Sequence, residues 1–164
     1  MAAETLTSTR AAASFPVAAG GPAGMLMVAT GTYEIAANVE AGDIFEMCKV
    51  PANAIVVGGY LYGDDLDTDA TETIDLDIGW KANDDEVTDT DGFGNFGVQN
   101  GDAITNWKPV AGIYLGFQGV LLADGPKHFT AETTLQVIFN AAAATGGTGT
   151  LSMVVFYFVD ENYS

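Results

Sequence analysis

The chain has 164 residues and a mass of 17.0 kDa, and 48% of its residues are hydrophobic, so it can bury the core of one domain. Only 16% of the residues are charged, with 5 basic against 22 acidic residues and a formal net charge of −17. This balance excludes nucleic acid and an anionic membrane surface as partners, because both require clustered basic side chains. The five basic residues are scattered singly: Arg10, Lys49, Lys81, Lys108 and Lys127.

Cysteine content and apolar runs indicate where the protein is made. Cys48 is the one cysteine, so the chain forms no intrachain disulfide and carries none of the cysteine-based metal spacings. Residues 1–9 have no basic region, and residues 11–24 lack the apolar stretch of a signal peptide. The longest apolar run, Met153 to Val159, is far shorter than the roughly 20 residues that span a bilayer. We therefore expect synthesis in a cytoplasm and no membrane anchor.

Residues 1–24 are predicted to form an extended N-terminal arm, and residues 25–164 a folded domain. The arm is rich in Ala, Thr, Ser and Gly without helical or strand periodicity, and Pro16 and Pro22 hold it locally extended. Its few apolar points are Leu6, Phe15 and Val17. Two interpretations stay open, a frayed terminus or an arm that becomes ordered along a neighbouring subunit, and the isolated aromatic ring in the arm favours the second.

From residue 25 onward the pattern is that of β-strands. Between Thr73 and Trp80 large apolar residues alternate with Thr, Asp and Gly, a period of two that predicts a strand with one buried and one solvated face. Strands are predicted, in chain order, at residues 25–36, 44–50, 55–62, 73–80, 111–122, 130–139 and 148–159.

The last predicted strand carries apolar residues on both faces, so we expect it to be central in its sheet or covered by another element. No helix of any length is indicated. Ala141 to Ala144 is predicted to be a loop, because four alanines before a glycine-rich stretch cannot nucleate a helix. Turn-separated strands in this number predict an all-β, jelly-roll-like antiparallel β-sandwich of about seven to eight strands.

Twelve of the 22 acidic residues lie between Asp64 and Asp91, where Lys81 is the one basic residue. Ca²⁺ takes about six to eight oxygen ligands, and the carboxylates in the acidic turns could supply such oxygens. An EF-hand loop beginning at Asp85 fails, however, because its twelfth position is Phe96 and not an acid. The favoured interpretation is a solvated acidic rim on loops and on the outer face of one strand, with weak Ca²⁺ binding as the alternative.

No catalytic signature is found in the sequence. His128 follows a Gly-Pro-Lys turn, and Cys48 alternates within a strand as a small core residue does. Trp80 shares the apolar face of its strand and is predicted to be in the core, whereas Trp107 lies in a loop or at a strand end, where contact and structural roles stay equally open. No catalytic residue, no metal ligand and no cofactor is therefore predicted.

Motifs between Phe45 and Trp80 carry a family resemblance. They are a Val-Pro-Ala-Asn-Ala turn at residues 50–54, a glycine-bearing strand at residues 55–59, an Asp-Asp-Leu-Asp corner at residues 64–67 and the strand at residues 73–79. This quarter of the chain resembles the small β-sandwich virion proteins of tailed bacteriophages, of the head decoration or cement type. The resemblance implies a jelly-roll-like domain without enzyme activity, which assembles on the capsid exterior, often as trimers at local threefold positions.

The leading hypothesis is thus a decoration protein on the virion surface that stabilises a phage capsid by clamping neighbouring shell subunits. Its partners are then the major capsid protein or another virion protein, together with further copies of itself in a homotrimer. The residues predicted to make these contacts are apolar or aromatic: Leu6, Phe15, Pro16, Val17, Tyr60, Tyr62, Trp107 and Tyr114.

Two other functions compete with it. The first is a phage spike, fibre or tail-associated receptor-binding module, which would bind carbohydrate through loop aromatics such as Trp107 and Phe93. The second is a Ca²⁺-assisted glycosidase or depolymerase, which rests only on abundant carboxylates: Asp64, Asp67, Asp89 and Asp91.

Overall fold

A computed structural model describes residues 4–9, 11–12, 25–98 and 112–160. These residues form ten strands and one turn of helix. In chain order the elements are β1 (Thr5–Thr7), β2 (Met27–Ile35), β3 (Ile44–Val50), β4 (Ala54–Gly63), β5 (Asp75–Trp80), β6 (Asp89–Val98), β7 (Ile113–Gly116), α1 (Val120–Ala123), β8 (Lys127–Phe129), β9 (Thr133–Ala141) and β10 (Gly149–Val159).

The strands form two sheets. Sheet 1 has the order β1-β3-β9-β5-β6, and sheet 2 has the order β2-β10-β4-β7, with β8 also pairing with β4. Without β1 and β8, each sheet has four antiparallel strands, and the chain passes between the sheets in the order of a jelly roll, which consists of two Greek keys. The prediction of an all-β, jelly-roll-like antiparallel sandwich is confirmed.

The core lies between the inner faces of the two sheets. Aromatic rings meet edge to face there, with Phe45 5.2 Å from both Tyr33 and Phe139. Trp80 packs between Phe93 and Phe129 at 5.2 and 5.3 Å and is 3% exposed, so its predicted core position is confirmed. Fully buried aliphatic side chains complete this core: Leu61, Leu66, Ile74, Leu76 and Ile78.

β10 is central in sheet 2, which is one of the two alternatives predicted for this strand. It pairs with β2 on one side and with β4 on the other. Val155, for example, stands opposite Ala29 of β2 and Gly59 of β4. Its odd-numbered residues from Leu151 to Tyr157 are buried between the sheets. Both apolar faces of β10 are therefore used, one in the core and one on the outer surface of sheet 2.

The predicted strand at residues 111–122 is wrong in its second half. β7 ends at Gly116, and residues Val120–Ala123 form α1 instead. Gly119 has a φ of 56°, which an extended strand does not allow, and its carbonyl oxygen accepts hydrogen bonds from the N–H groups of Leu122 and Ala123 at 3.0 and 3.1 Å. A left-handed glycine therefore turns the chain into one helical turn.

β6 was not predicted from the sequence. Its residues, DTDGFGNFGV, lack a clean alternation, because acids and glycines occupy most positions. The pairing with β5 is irregular, with register shifts on both sides of Asp77 and Ile78, so the period-two signal is broken by bulges. β8 and the last two residues of β9 likewise lie outside the predicted strand at residues 130–139.

The two sheets approach closely at Gly31 in β2. A Cβ atom at this position would lie 1.9 Å from the carbonyl oxygen of Met47 in β3. Only a residue without a side chain therefore allows β2 to cross β3 at this distance.

Candidate interaction surface

Four aromatic residues gather on the outer face of sheet 2, and we call this group the tyrosine face: Tyr60, Tyr62, Tyr114 and Phe156. Tyr62 of β4 stands directly opposite Tyr114 of β7. The ring of Tyr60 lies 5.9 Å from that of Tyr62, 5.5 Å from that of Tyr114 and 6.0 Å from that of Phe156. Cross-strand aromatic pairs of this kind stabilise a sheet and form a rigid apolar surface.

The tyrosine face is accessible from outside the domain. Tyr62 is 44% exposed and Tyr114 is 42% exposed, while Tyr60 and Phe156 are half-buried. Val28 of β2, which is 50% exposed, stands opposite Phe156 and extends the apolar surface to the edge of the sheet. The surface exists because Tyr60 and Tyr62 of β4 point outward on either side of the buried Leu61, and in β10 the outward residues alternate in the same way with buried odd-numbered residues.

The structure brings together three of the eight predicted contact residues, the tyrosines at positions 60, 62 and 114. Leu6 lies elsewhere, in β1 at the edge of sheet 1, where it is half-buried against the core. Val28 was not among the predicted contacts, since only the pairing of β2 with β10 places it beside the aromatic rings. Four predicted contacts lie outside the described residues: Phe15, Pro16, Val17 and Trp107.

The acidic residues between Asp64 and Asp91, which we call the acidic centre, are more structured than a solvated rim. Asp67 is 1% exposed, and its carboxylate accepts hydrogen bonds from the backbone N–H groups of Thr73 (2.8 Å), Ile74 (3.2 Å) and Ala144 (3.0 Å). The N–H groups of residues 69 and 145 donate to its other oxygen. Burial acts to raise the pKa of Asp67, but the backbone donors outweigh burial and lower it. Asp67 thus joins the β4–β5 loop to the β9–β10 loop.

The predicted solvated face of β5 is also wrong. Asp77 lies on that face but is 5% exposed, and it accepts a hydrogen bond from Asn140 Nδ2 at 2.8 Å. Burial raises the pKa of Asp77, and the negative charges of Asp75 and Asp91 raise it further. Burial likewise raises the pKa of Asp89, together with its interaction with Asp91. Burial and neighbouring acidic groups therefore disfavour the ionised forms of Asp77 and Asp89 in sheet 1.

Comparison with known proteins rests on structure, because no protein-family model and no curated protein matches the sequence. A chain of the capsid of Ralstonia phage GP4 superimposes with a TM-score of 0.74 and 21% identity, covering 96% of this chain and 99% of that chain. A chain of the cyanophage Pam1 capsid asymmetric unit gives 0.60 and 23%, covering 91% and 96%. A chain of the acidic stable capsid structure of Helicobacter pylori bacteriophage KHP30 gives 0.55 and 15%, covering 84% and 90%.

This protein has the fold of those three chains. The match runs over nearly the full length of each, so the shared feature is the whole sandwich and not a single motif. With identities of 15 to 23%, this likeness establishes the architecture, and the tyrosine face and acidic centre must be interpreted from the residues of this chain.

The carbohydrate-binding alternative loses one of its two aromatic residues. Phe93 is not a loop residue but lies in β6, fully buried, with its ring stacked on that of Phe117 at 4.9 Å. A sugar cannot reach a ring in that position. Trp107, the other residue of this hypothesis, lies outside the described residues.

The residues considered for catalysis are placed as parts of the fold. Cys48 is buried in β3, which confirms its prediction as a core residue, and His128 lies in β8 opposite Ile55. Within residues 4–9, 11–12, 25–98 and 112–160, no three His, Cys, Asp or Glu side chains are grouped so that they could hold a metal ion. The one helix of these residues has four residues, so none is long enough to cross a membrane.

Proposed function

We propose that this protein is a non-enzymatic structural protein of a phage virion, which decorates the capsid exterior and stabilises the shell by clamping neighbouring subunits. The observation that carries the proposal is the likeness to a chain of the capsid of Ralstonia phage GP4, because it covers 96% of this chain and 99% of that one. The partner in this proposal is the major capsid protein or another virion protein, and copies of the chain associate as a homotrimer.

The tyrosine face is the proposed contact with the shell protein. The chain has a net charge of −17, yet the tyrosine face and its apolar neighbours Val28 and Val154 carry no charge. A partner surface can approach there without repulsion, and exposed rings on a rigid sheet lose little conformational entropy on binding. Contiguous exposed apolar surface of this kind marks interaction sites.

The proposal is tested first by locating the chain in particles. An antibody against this chain, with gold-labelled secondary antibody, is applied to phage particles purified from a host that carries the gene. We expect label on the outside of the head. Label on tails only, or particles without label while the chain stays in the soluble fraction, would refute the decoration role.

The tyrosine face is tested by the double variant Tyr62→Ser, Tyr114→Ser, which removes both exposed rings and keeps hydroxyl groups at the surface. We expect the copy number per purified head to fall at least tenfold, because rings at the centre of an interface contribute most of its affinity. The matched control is Leu122→Ser, which removes a 77% exposed apolar side chain from α1. Equal occupancy of the double variant and the control would exclude this face as the contact.

The arm is tested by deleting residues 1–24. We expect a folded sandwich, because all the strands of the jelly roll lie beyond this segment. We expect it no longer to bind heads, because the arm is proposed to clamp neighbouring subunits. Circular dichroism and the unfolding midpoint report the fold, and sedimentation with undecorated heads reports binding. Unchanged occupancy would remove the arm from the proposal.

A further inference from the structure

β3 would be an unprotected edge of sheet 1 without β1. The jelly-roll strands of this sheet end at β3, and β1 pairs along its outer side, with Leu6 opposite Phe45. This pairing is parallel, whereas the other strand pairs within the described residues are antiparallel. An open edge is a template for strand addition. β1 is therefore an added strand and not part of the jelly-roll path.

The edge of β3 holds β1 through directed polar contacts. The Glu4 N–H donates to Asp43 Oδ1 at 2.9 Å, and the Glu4 carbonyl oxygen accepts from the Ile44 N–H at 2.8 Å. The Ser8 N–H donates to the Glu46 carbonyl oxygen at 2.8 Å, and the Ser8 hydroxyl donates to the carbonyl oxygen of residue 47. We call this binding edge, residues 43–47, the β3 seat.

Apolar packing adds one half-buried side chain to the attachment of β1. Thr5 and Thr7 are exposed, and Leu6 between them is half-buried. Leu6 borders a cavity of about 220 Å³, whose other lining includes Tyr33, Ile35 and Phe45. This cavity is partly open to solvent, so Leu6 forms part of its wall and is not enclosed by core side chains. The attachment of β1 therefore depends on backbone and side-chain hydrogen bonds together with one half-buried side chain.

The connection is long enough to reach another copy. Residues 13–24 join the seated segment to β2 and consist mostly of Ala, Gly, Pro and Ser. Fully extended, these 12 residues span about 40 Å. The diameter of a compact domain of this length is also roughly 40 Å. The segment can therefore join β1 to the seat of its own chain or to that of an adjacent copy.

We infer that, in the assembled protein, β1 occupies the β3 seat of a neighbouring copy of the same chain. Exchange keeps every contact described above, since β1 and the seat are identical in each copy. The high local concentration of copies in an assembly favours such links between them. The inference rests on the proposed function, because the exchanged strand would supply the contact between copies of the decoration protein. Its chemistry is strand addition, in which backbone hydrogen bonds give affinity.

The exchange is tested by co-expressing two full-length variants with different tags, one with Thr5→Cys and the other with Ile44→Cys. These positions face each other in the β1–β3 register, within the range that a disulfide bridges. After mild oxidation with oxidised glutathione, we expect a non-reducing gel band at the summed mass of the two tagged chains. Each variant expressed alone, and the unmodified chain with its buried Cys48, are the controls.

The double variant Thr5→Cys, Ile44→Cys in a single chain decides between the outcomes. A cross-linked monomer from this variant, without the mixed band from the co-expressed pair, would show that β1 stays on its own chain and would overturn the inference. Failure of both to cross-link would show that β1 does not occupy the seat and would overturn it as well. A mixed band from a chain that never labels phage heads would refute the proposed function alone.

Discussion

Asp67 illustrates how one buried carboxylate organises two loops. We expect Asp67→Asn to destabilise the protein by about 3 kcal/mol, because an amide presents N–H groups to backbone donors that are then left unpaired. Urea unfolding at neutral pH measures the change. Asp84→Asn is the matched control, since it removes the same charge from an exposed loop position. A loss of stability no larger than that of the control would contradict the role of Asp67.

The pH dependence of the same variant follows from the lowered pKa of Asp67. The folded state favours the carboxylate, so its stabilising contribution is present above the ordinary value of 3.8 and disappears as pH falls through the folded-state pKa. The difference in unfolding free energy between the unmodified chain and Asp67→Asn should therefore shrink on acidification. A constant difference across the acid range would mean that the carboxylate charge is not involved.

Asp77 makes the opposite prediction. Its raised pKa means that the folded state disfavours the carboxylate. The stabilising contribution of the protonated Asp77 is therefore present at low pH and is lost as pH rises through the folded-state pKa. Asp77→Asn keeps an oxygen for the hydrogen bond from Asn140 and removes the buried charge. We expect its Tm at neutral pH to rise by a few degrees, with the gain vanishing towards pH 4. Differential scanning calorimetry measures the Tm, with Asp84→Asn as the control. An equal rise in the Tm of both variants would contradict this expectation.

At the scale of elements, the crossing of β2 over β3 depends on Gly31. We expect Gly31→Ala to destabilise the protein by about 3 kcal/mol, because its Cβ would overlap the carbonyl oxygen of Met47 and push the sheets apart. Gly116→Ala in β7 is the matched control, since no atom lies within 4 Å of a Cβ built there. Thermal unfolding of the two variants measures the difference, and a Gly31→Ala midpoint equal to that of the control would refute the close approach.

The elements found from sequence are those whose own residues alternate. β10 shows apolar residues on both faces in its sequence, which predicted a strand that is either central or covered, and pairing with β2 and β4 decided for the central position. β6 was missed because its bulges break the alternation, and α1 because Gly119 turns the backbone at a point where the apolar pattern continues. A local pattern does not report a backbone torsion that is stabilised by hydrogen bonds to the following turn.

For the whole molecule, negative charge is the dominant electrostatic term. The described residues contain three ion pairs, Lys49–Glu132, Lys81–Glu46 and Lys127–Glu86, against a net charge of −17. Screening therefore removes more repulsion than attraction. We expect the Tm to rise between low and moderate NaCl concentration. The double variant Asp84→Asn, Asp124→Asn should show a smaller rise, and a Tm that falls with salt would contradict the dominance of repulsion.

The candidate surface was predictable where it depends on residue spacing within one strand. Tyr60 and Tyr62 are two residues apart, so any strand through them places both rings on one face. Tyr114 joins them only because β7 pairs with β4 in a particular register, and Val28 only because β2 pairs with β10. Register between distant segments is a property of the assembled sheet.

Sequence alone determined the all-β class, the two-layer sandwich and the core positions of Trp80 and Cys48, because period-two alternation is local and shows which side chains avoid water. Tertiary structure alone decided that β1 seats on β3, that Phe93 is buried and that Asp67 and Asp77 are enclosed rather than solvated. The reason is distance along the chain. Two of the N–H groups that donate to Asp67 belong to Ala144 and Thr145, which lie 77 and 78 positions further along the chain. Only the folded sandwich brings them together.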